Sequence, residues 1–215
     1  LKIGIIGSGV VGQTLGTGLA ALGHEVKIGS REPNSEKLLE WQAKTGDKAS
    51  TGTFAETATF GDMAIIATLW DGTEHALQLA GPDSLAGKVV IDATNPLKFG
   101  PKGPELAIGF SESAGEHVQN WLPQAKVVKA FNIVTAPLMI NPGLLGETPD
   151  MFICGNDEGA KQEVTDLLAT LGWPVIDLGT IEESRLIEPI GMAWVKYYFK
   201  TQNWQHAFKL IRKQD

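Results

Sequence analysis

The six residues Gly7-Ser8-Gly9-Val10-Val11-Gly12 follow an apolar run, Ile3–Ile6, and open a segment of helical composition. Glycines at this spacing do phosphate chemistry with backbone rather than side chains. Gly7 permits a tight turn, Gly9 lets the backbone approach a pyrophosphate, and Gly12 lets helix and strand pack closely, so that phosphate oxygens face the amides of a helix N-terminus. The segment reads as a dinucleotide site. The end of the next strand selects the nucleotide. An NAD site carries a carboxylate there for the ribose hydroxyls, whereas this chain has Gly29-Ser30-Arg31. A serine hydroxyl and the planar Arg31 fork suit a 2′-phosphate, so NADPH is the expected cofactor. Glu32 lies beyond the strand end, beside Pro33.

Three further segments fall after apolar runs: Thr68-Leu69-Trp70, Asn95-Pro96 and Asn132. Ligands of open α/β sheets bind at the carboxyl ends of strands. These residues supply amides, hydroxyls and flat apolar surface, but no converging His, Asp and Ser. That inventory suits hydride transfer between two ring systems, in which the protein stacks the rings and excludes water. No catalytic acid or base is assigned. His75 stands nearest a strand end and reads as surface or helix packing, and the histidines lack metal-ligand spacing. Lys98, Lys102, Lys129 and Arg185 are candidates to meet an anionic tail of a substrate.

The elements that position these residues follow from Val- and Ile-rich runs at Ile3–Ile6, Val26–Ile28, Met63–Ala67, Val89–Ile91, Val127–Phe131, Met151–Cys154 and Val175–Leu178. Helix-like or loop segments separate them, among them Val11–Leu22, Ser35–Thr45, Asp157–Leu171 and a C-terminal stretch from about Ile181. The alternation predicts a doubly wound parallel α/β sheet with a short C-terminal β-α-β-α extension. We expect a single domain over 1–215, with a dinucleotide-binding core at 1–136 and the extension at 150–215, the boundary lying in the irregular segment APLMINPGLLGETPD. PLKFGPKGPE also reads as irregular. In the C-terminal stretch Leu186, Ile190, Trp194 and Tyr197 recur at helical spacing, a stripe that predicts a core or homodimer face.

With 43% hydrophobic residues and a formal net charge of -7, the chain can bury a full core and does not read as a general binder of nucleic acid or anionic membranes. No apolar stretch is long enough to span a bilayer, and the lone Cys154 reads as a small buried hydrophobe of a reducing compartment. A cytoplasmic protein acting on a small-molecule acceptor is expected.

Taken in order, GSGVVG, GSRE, ATLW, DATNPL, KVVKAFN followed by TA, CGND and DLGTIEESRLIEP resemble the family of F420-dependent NADP oxidoreductases over nearly the full chain. The resemblance implies hydride transfer between NADPH and the deazaflavin coenzyme F420. It implies Ser8, Val10 and Val11 at the pyrophosphate and Ser30 and Arg31 at the 2′-phosphate. Thr68, Leu69, Trp70, Asn95, Pro96 and Ala136 would line the path from adenosine to nicotinamide. Two positions depart from the family pattern. A basic residue that some members carry just after the Ser-Arg pair is replaced by Pro33, Asn34 and Ser35, and Asn132 stands where some members have a histidine beside the deazaflavin. The residues themselves leave two alternatives open: an NADPH-dependent reductase of a flavin or of a small imine or carbonyl, and an NADPH-binding sensor without turnover.

Overall fold

The computed structural model describes residues 1–213. Its first strand, β1 (Lys2–Ile6), is buried from Ile3 onward on both faces, the pattern of a central strand covered by helices. The chain continues through α1 (Val10–Ala21), β2 (Glu25–Gly29), α2 (Glu36–Thr45), β3 (Ala49–Gly52), α3 (Phe54–Phe60), β4 (Met63–Ile66), α4 (Thr73–Ala80) and β5 (Val89–Asp92). A two-stranded antiparallel hairpin, β6 (Leu97–Gly100) and β7 (Gly103–Leu106), precedes α5 (Ala114–Trp121) and β8 (Lys126–Lys129). Then come α6 (Ala136–Ile140), β9 (Met151–Gly155), α7 (Glu158–Thr170), β10 (Val175–Asp177) and α8 (Ser184–Thr201).

Eight strands form one sheet in the order β10-β9-β8-β5-β4-β1-β2-β3. The winding reverses between β1 and β4, the switch point at which such sheets open a crevice beyond their carboxyl ends. Ile3, Ile5, Ile6, Ile65, Ile66 and Ile91 are fully buried in the middle of this sheet. Each such side chain contributes roughly 1.5–3 kcal/mol relative to exposure. Among the described residues, no helix is long and apolar enough to cross a membrane.

The sheet is parallel except at one junction, where β9 runs antiparallel to β8. The connection between them holds only the five-residue α6 and a short 3-10 turn. An antiparallel neighbour needs no crossover helix, so this short return suffices. One consequence bears on the sequence motifs: Asn156 and Asp157 of CGND sit at the amino end of β8, where Asp157 pairs with Lys126 at 3.2 Å and caps α7 through Ala160 N–H. They face away from the strand-end crevice. PLKFGPKGPE, expected to be irregular, forms the β6–β7 hairpin, turned at Gly103 with φ +93°.

Candidate functional site

At the end of β1 the glycine loop has the geometry its spacing implies. Gly7 has φ +130°, and a side chain there would collide with the Ala67 carbonyl at the end of β4. A side chain at Gly12 would collide with the Gly7 carbonyl, so α1 packs directly on the loop. Gly9 is different: a Cβ at this position meets nothing within 4 Å. Gly9 is also the N-cap of α1, no side chain caps this helix, and its first turn holds no acidic residue. By contrast α3 closes its start with the Thr53–Glu56 capping box. The first amides of α1 therefore face open space beside Gly9, an arrangement that fits a pyrophosphate. Val10 is exposed, and Val11 packs partly on the core.

Ser30 and Arg31 play unequal parts. Ser30 is buried, its Oγ lying 3.3 Å from Ser8 Oγ and accepting the Glu32 N–H at 3.1 Å. It ties the glycine loop to the end of β2. Arg31, on the turn so fixed, is exposed and makes no ion pair among the described residues. A guanidinium held beside the loop without an internal acid suits a phosphate.

The segment after β4 forms a wall. Thr68 Oγ1 lies 2.8 Å from Thr73 Oγ1, which donates to the Leu69 carbonyl, and Leu69 itself is 88% exposed. Trp70 stacks on Trp121 of α5 with centroids 5.4 Å apart, and His117 meets it edge-on at 6.1 Å. One face of the Trp70 ring is thus committed to α5.

The ends of β5 and β8 meet through Asn95 and Asn132. Asn95 Nδ2 donates to the Asn132 carbonyl at 2.7 Å, and Asn132 Nδ2 donates to Asn95 Oδ1 at 3.1 Å and to the Ile187 carbonyl of α8 at 3.4 Å. Asn132 is buried, and its Oδ1 has no hydrogen-bond partner among the described residues. The preceding residue, Phe131, is fully buried with φ +68°, a left-handed conformation that bulky residues rarely adopt and that marks stored backbone strain. Pro96 is buried, its carbonyl accepting the Ala107 N–H, and Ala136 is buried at the first turn of α6. Neither presents a side chain to open space.

Sequence reasoning missed the most heavily buried charges among the described residues. Lys129 at the end of β8 is fully buried, with Nζ 2.9 Å from Asp92 Oδ2 and 3.0 Å from Glu188 Oε1. It is therefore no surface cation for an anionic tail. Burial would lower its pKa, but the two carboxylates outweigh that and raise it. Asp92 Oδ1 accepts from Thr94 N–H and Oγ1, while Glu188 accepts the Ala114 and Gly115 N–H groups at the start of α5. Arg185 is likewise engaged, holding Glu116 in a two-pronged ion pair. The order DATN…KAFN puts an acid and a lysine at adjacent strand ends, the one sequence signal that could have paired them.

The same charges decide which face of α8 is most deeply buried, while Ile190 of the predicted stripe packs partly on the core. The buried residues of α8 are Ser184, Ile187, Glu188 and Gly191, while Leu186 and Tyr197 of the predicted stripe are 57% and 50% exposed. The polar residues turn inward because they have partners there: Glu188 meets Lys129, and Ser184 Oγ lies 3.2 Å from Cys154 Sγ. Burial pushes the Cys154 thiol up to about 12. Gly191 lets the helix backbone rest on the asparagine pair, since a Cβ there would lie 2.8 Å from Asn95 Oδ1.

A family model described as "NADP oxidoreductase coenzyme F420-dependent" matches residues 2–96, which span the glycine loop through Pro96. The F420-dependent NADP reductase of Methanocaldococcus jannaschii is 34% identical over 204 residues, covering 88% of this chain and 89% of that protein. The crystal structure of a putative F420-dependent NADP-reductase from Arthrobacter sp. FB24 superposes with a TM-score of 0.93 at 36% identity, covering 99% of this chain and all of that one. The metalloreductase STEAP3 of Rattus norvegicus is 29% identical over 189 residues, and there this chain spans only about a third of the relative's length, 36%. With the glycine loop, the serine-arginine turn and a full-length relative in agreement, the chain belongs to the family of F420-dependent NADP oxidoreductases.

Proposed function

We propose that this protein transfers a hydride between NADPH and the deazaflavin coenzyme F420. The observation that carries the reading is the correspondence with an F420-dependent NADP reductase along 88% of the chain. The residues fit NADPH: open space at Gly9, an uncapped α1 and, at the end of β2, an exposed Arg31 with no ion pair among the described residues. When bound, NADPH supplies the hydride, so the protein's contribution is to bind, orient and exclude water.

In this reading Gly7, Ser8, Gly9, Val10, Val11 and Gly12 hold the pyrophosphate, and Ser30 orients the turn from which Arg31 meets the 2′-phosphate. Thr68, Leu69 and Trp70 form one wall of the ring site, Asn95 and Asn132 the other, with Pro96 and Ala136 shaping the backbone behind them. Residues 150–213 belong to the same unit, a reading supported by β9 continuing the sheet and by Glu188 reaching Lys129. The exposed stripe of Leu186, Tyr197 and Phe199 on α8 suits a homodimer face, which light scattering at micromolar concentration tests.

NADPH oxidation with F420, free flavin and a cyclic imine as separate acceptors tests the reading. F420 is expected to be the fastest acceptor. Turnover with flavin or imine alone would replace it with the corresponding reductase, and tight NADPH binding without turnover would make the protein a sensor.

A further inference from the structure

Every wall of the proposed ring site leads back to one buried cation. Lys129 Nζ is held between Asp92 and Glu188, with all three side chains at most 2% exposed. Asp92 turns its other oxygen to Thr94, which directly precedes Asn95. Glu188 binds the first amides of α5, the helix whose Trp121 backs the Trp70 ring. The residue before Glu188 receives the Asn132 amide, and one turn later Gly191 rests on the asparagine pair. Lys129 is itself followed, two residues on, by Phe131 in its left-handed conformation, which aims Asn132 at Asn95.

Two carboxylates with one ammonium are an expensive thing to bury, because desolvation opposes each charge and apolar packing of equal volume is often as stable. A cluster needed only to join α8 to the sheet would be served by aliphatic side chains. What ions add is direction: Asp92 Oδ1 fixes Thr94 beside Asn95, both Glu188 oxygens fix the start of α5, the helix that backs Trp70, and Lys129, on the strand that leads to Asn132, joins the two carboxylates.

We propose that Asp92, Lys129 and Glu188 are positioning residues of the reductase site, which set the spacing of the Trp70 and Asn95–Asn132 walls and so control the rate of hydride transfer without contributing to NADPH binding. The proposal rests on the proposed function for its kinetic part alone. Among the described residues the cluster shares no hydrogen bond or ion pair with the glycine loop or the Ser30–Arg31 turn. A loss of wall geometry therefore reaches the reacting rings and spares the phosphates, and ring spacing governs reaction rate steeply.

Lys129→Met is the obvious variant, but it strands two buried carboxylates and can fail to fold. Glu188→Gln is the informative one, because it leaves Lys129 paired with Asp92 at no net charge while replacing an acceptor oxygen by an amide donor. Two measurements on the full chain decide the matter: stopped-flow reduction of F420 by NADPH-loaded protein, and the side-chain amide NMR signals of Asn95 and Asn132. We expect Glu188→Gln to keep its melting temperature within a few degrees and its Kd for NADPH within about threefold, to lower kcat at least tenfold, and to shift both asparagine signals. Unchanged kcat and unchanged signals in folded protein overturn the proposal. So does a parallel loss of NADPH affinity, kcat and melting temperature, which marks the cluster as structural only. If wild-type protein reduces no F420, the functional reading falls and the asparagine signals alone decide the positioning role: a shift upholds it, no shift ends it.

Discussion

Asn95 and Asn132 bind each other in both directions, from the Asn95 side chain to the Asn132 backbone and from the Asn132 side chain back to Asn95 Oδ1, with distances of 2.7 and 3.1 Å. The pair fastens the ends of β5 and β8 under α8. Asn132→Ala removes the donor for both Asn95 Oδ1 and the Ile187 carbonyl. A stability loss of about 1–3 kcal/mol is expected from stranded buried acceptors, read by urea unfolding. Turnover should fall further than NADPH affinity. An unchanged unfolding midpoint would show that the pair carries no load in the fold.

Gly9 and Gly12 of the glycine loop should separate folding from binding. Gly9→Val adds a side chain where nothing lies within 4 Å, so the fold is retained while the space for the pyrophosphate is filled. NADPH and NADH should both cease to bind in calorimetry, with little change in melting temperature. Gly12→Val drives a side chain into the Gly7 carbonyl and should destabilise the protein itself. Retained NADPH affinity in folded Gly9→Val protein would displace the pyrophosphate from this loop.

Arg31 should act on cofactor choice alone. Its side chain is exposed and makes no ion pair among the described residues, so Arg31→Ala leaves the fold untouched. Losing a charge-assisted phosphate contact should weaken NADPH on the order of tenfold to a hundredfold, with NADH nearly unchanged. Equal losses for both nucleotides would mean that Arg31 supports the turn rather than the 2′-phosphate.

The Glu116–Arg185 pair joins α5 to α8 and predicts a pH signature. The Arg185 guanidinium, with burial opposing it and Ser113 assisting, holds the Glu116 carboxyl below its ordinary value of 4.5. A carboxyl depressed in the folded state adds stability above its unfolded pKa and loses it as the pH falls through the folded one. Arg185→Met should therefore lower the melting temperature at neutral pH, and the gap to wild type should close as the pH drops below 4.5. A gap that stays constant into acid would assign the loss to packing of the arginine stem.

Features that depend on local sequence were legible before the structure. The glycine loop, the Ser30–Arg31 turn and the central strands follow from neighbouring residues, since glycine spacing and apolar runs dictate backbone shape directly. Short edge elements were hidden: β3 is ASTG, with no apolar run, and the β6–β7 hairpin is masked by Pro101 and Pro104, which read as loop punctuation. The buried cluster was illegible for a different reason. Asp92 and Lys129 stand 37 residues apart, and only the strand order makes them neighbours. For α8, hydrophobic spacing located only part of the buried face, Ile190, because the rest of that face holds Ser184 and Glu188, whose partners lie on other elements. Apolar periodicity finds a core only where the core is apolar.

The central claim is direct hydride transfer from NADPH to F420 at the strand-end site. Its most direct test is single-turnover stopped flow, mixing the protein loaded with NADPH deuterated at the transferring C4 position, or with unlabelled NADPH, against oxidised F420. The account predicts that F420 reduction and NADPH oxidation proceed at one common rate, slowed severalfold by the deuterium, with the label recovered in reduced F420. Absence of F420 reduction, or reduced F420 without the label, would contradict it.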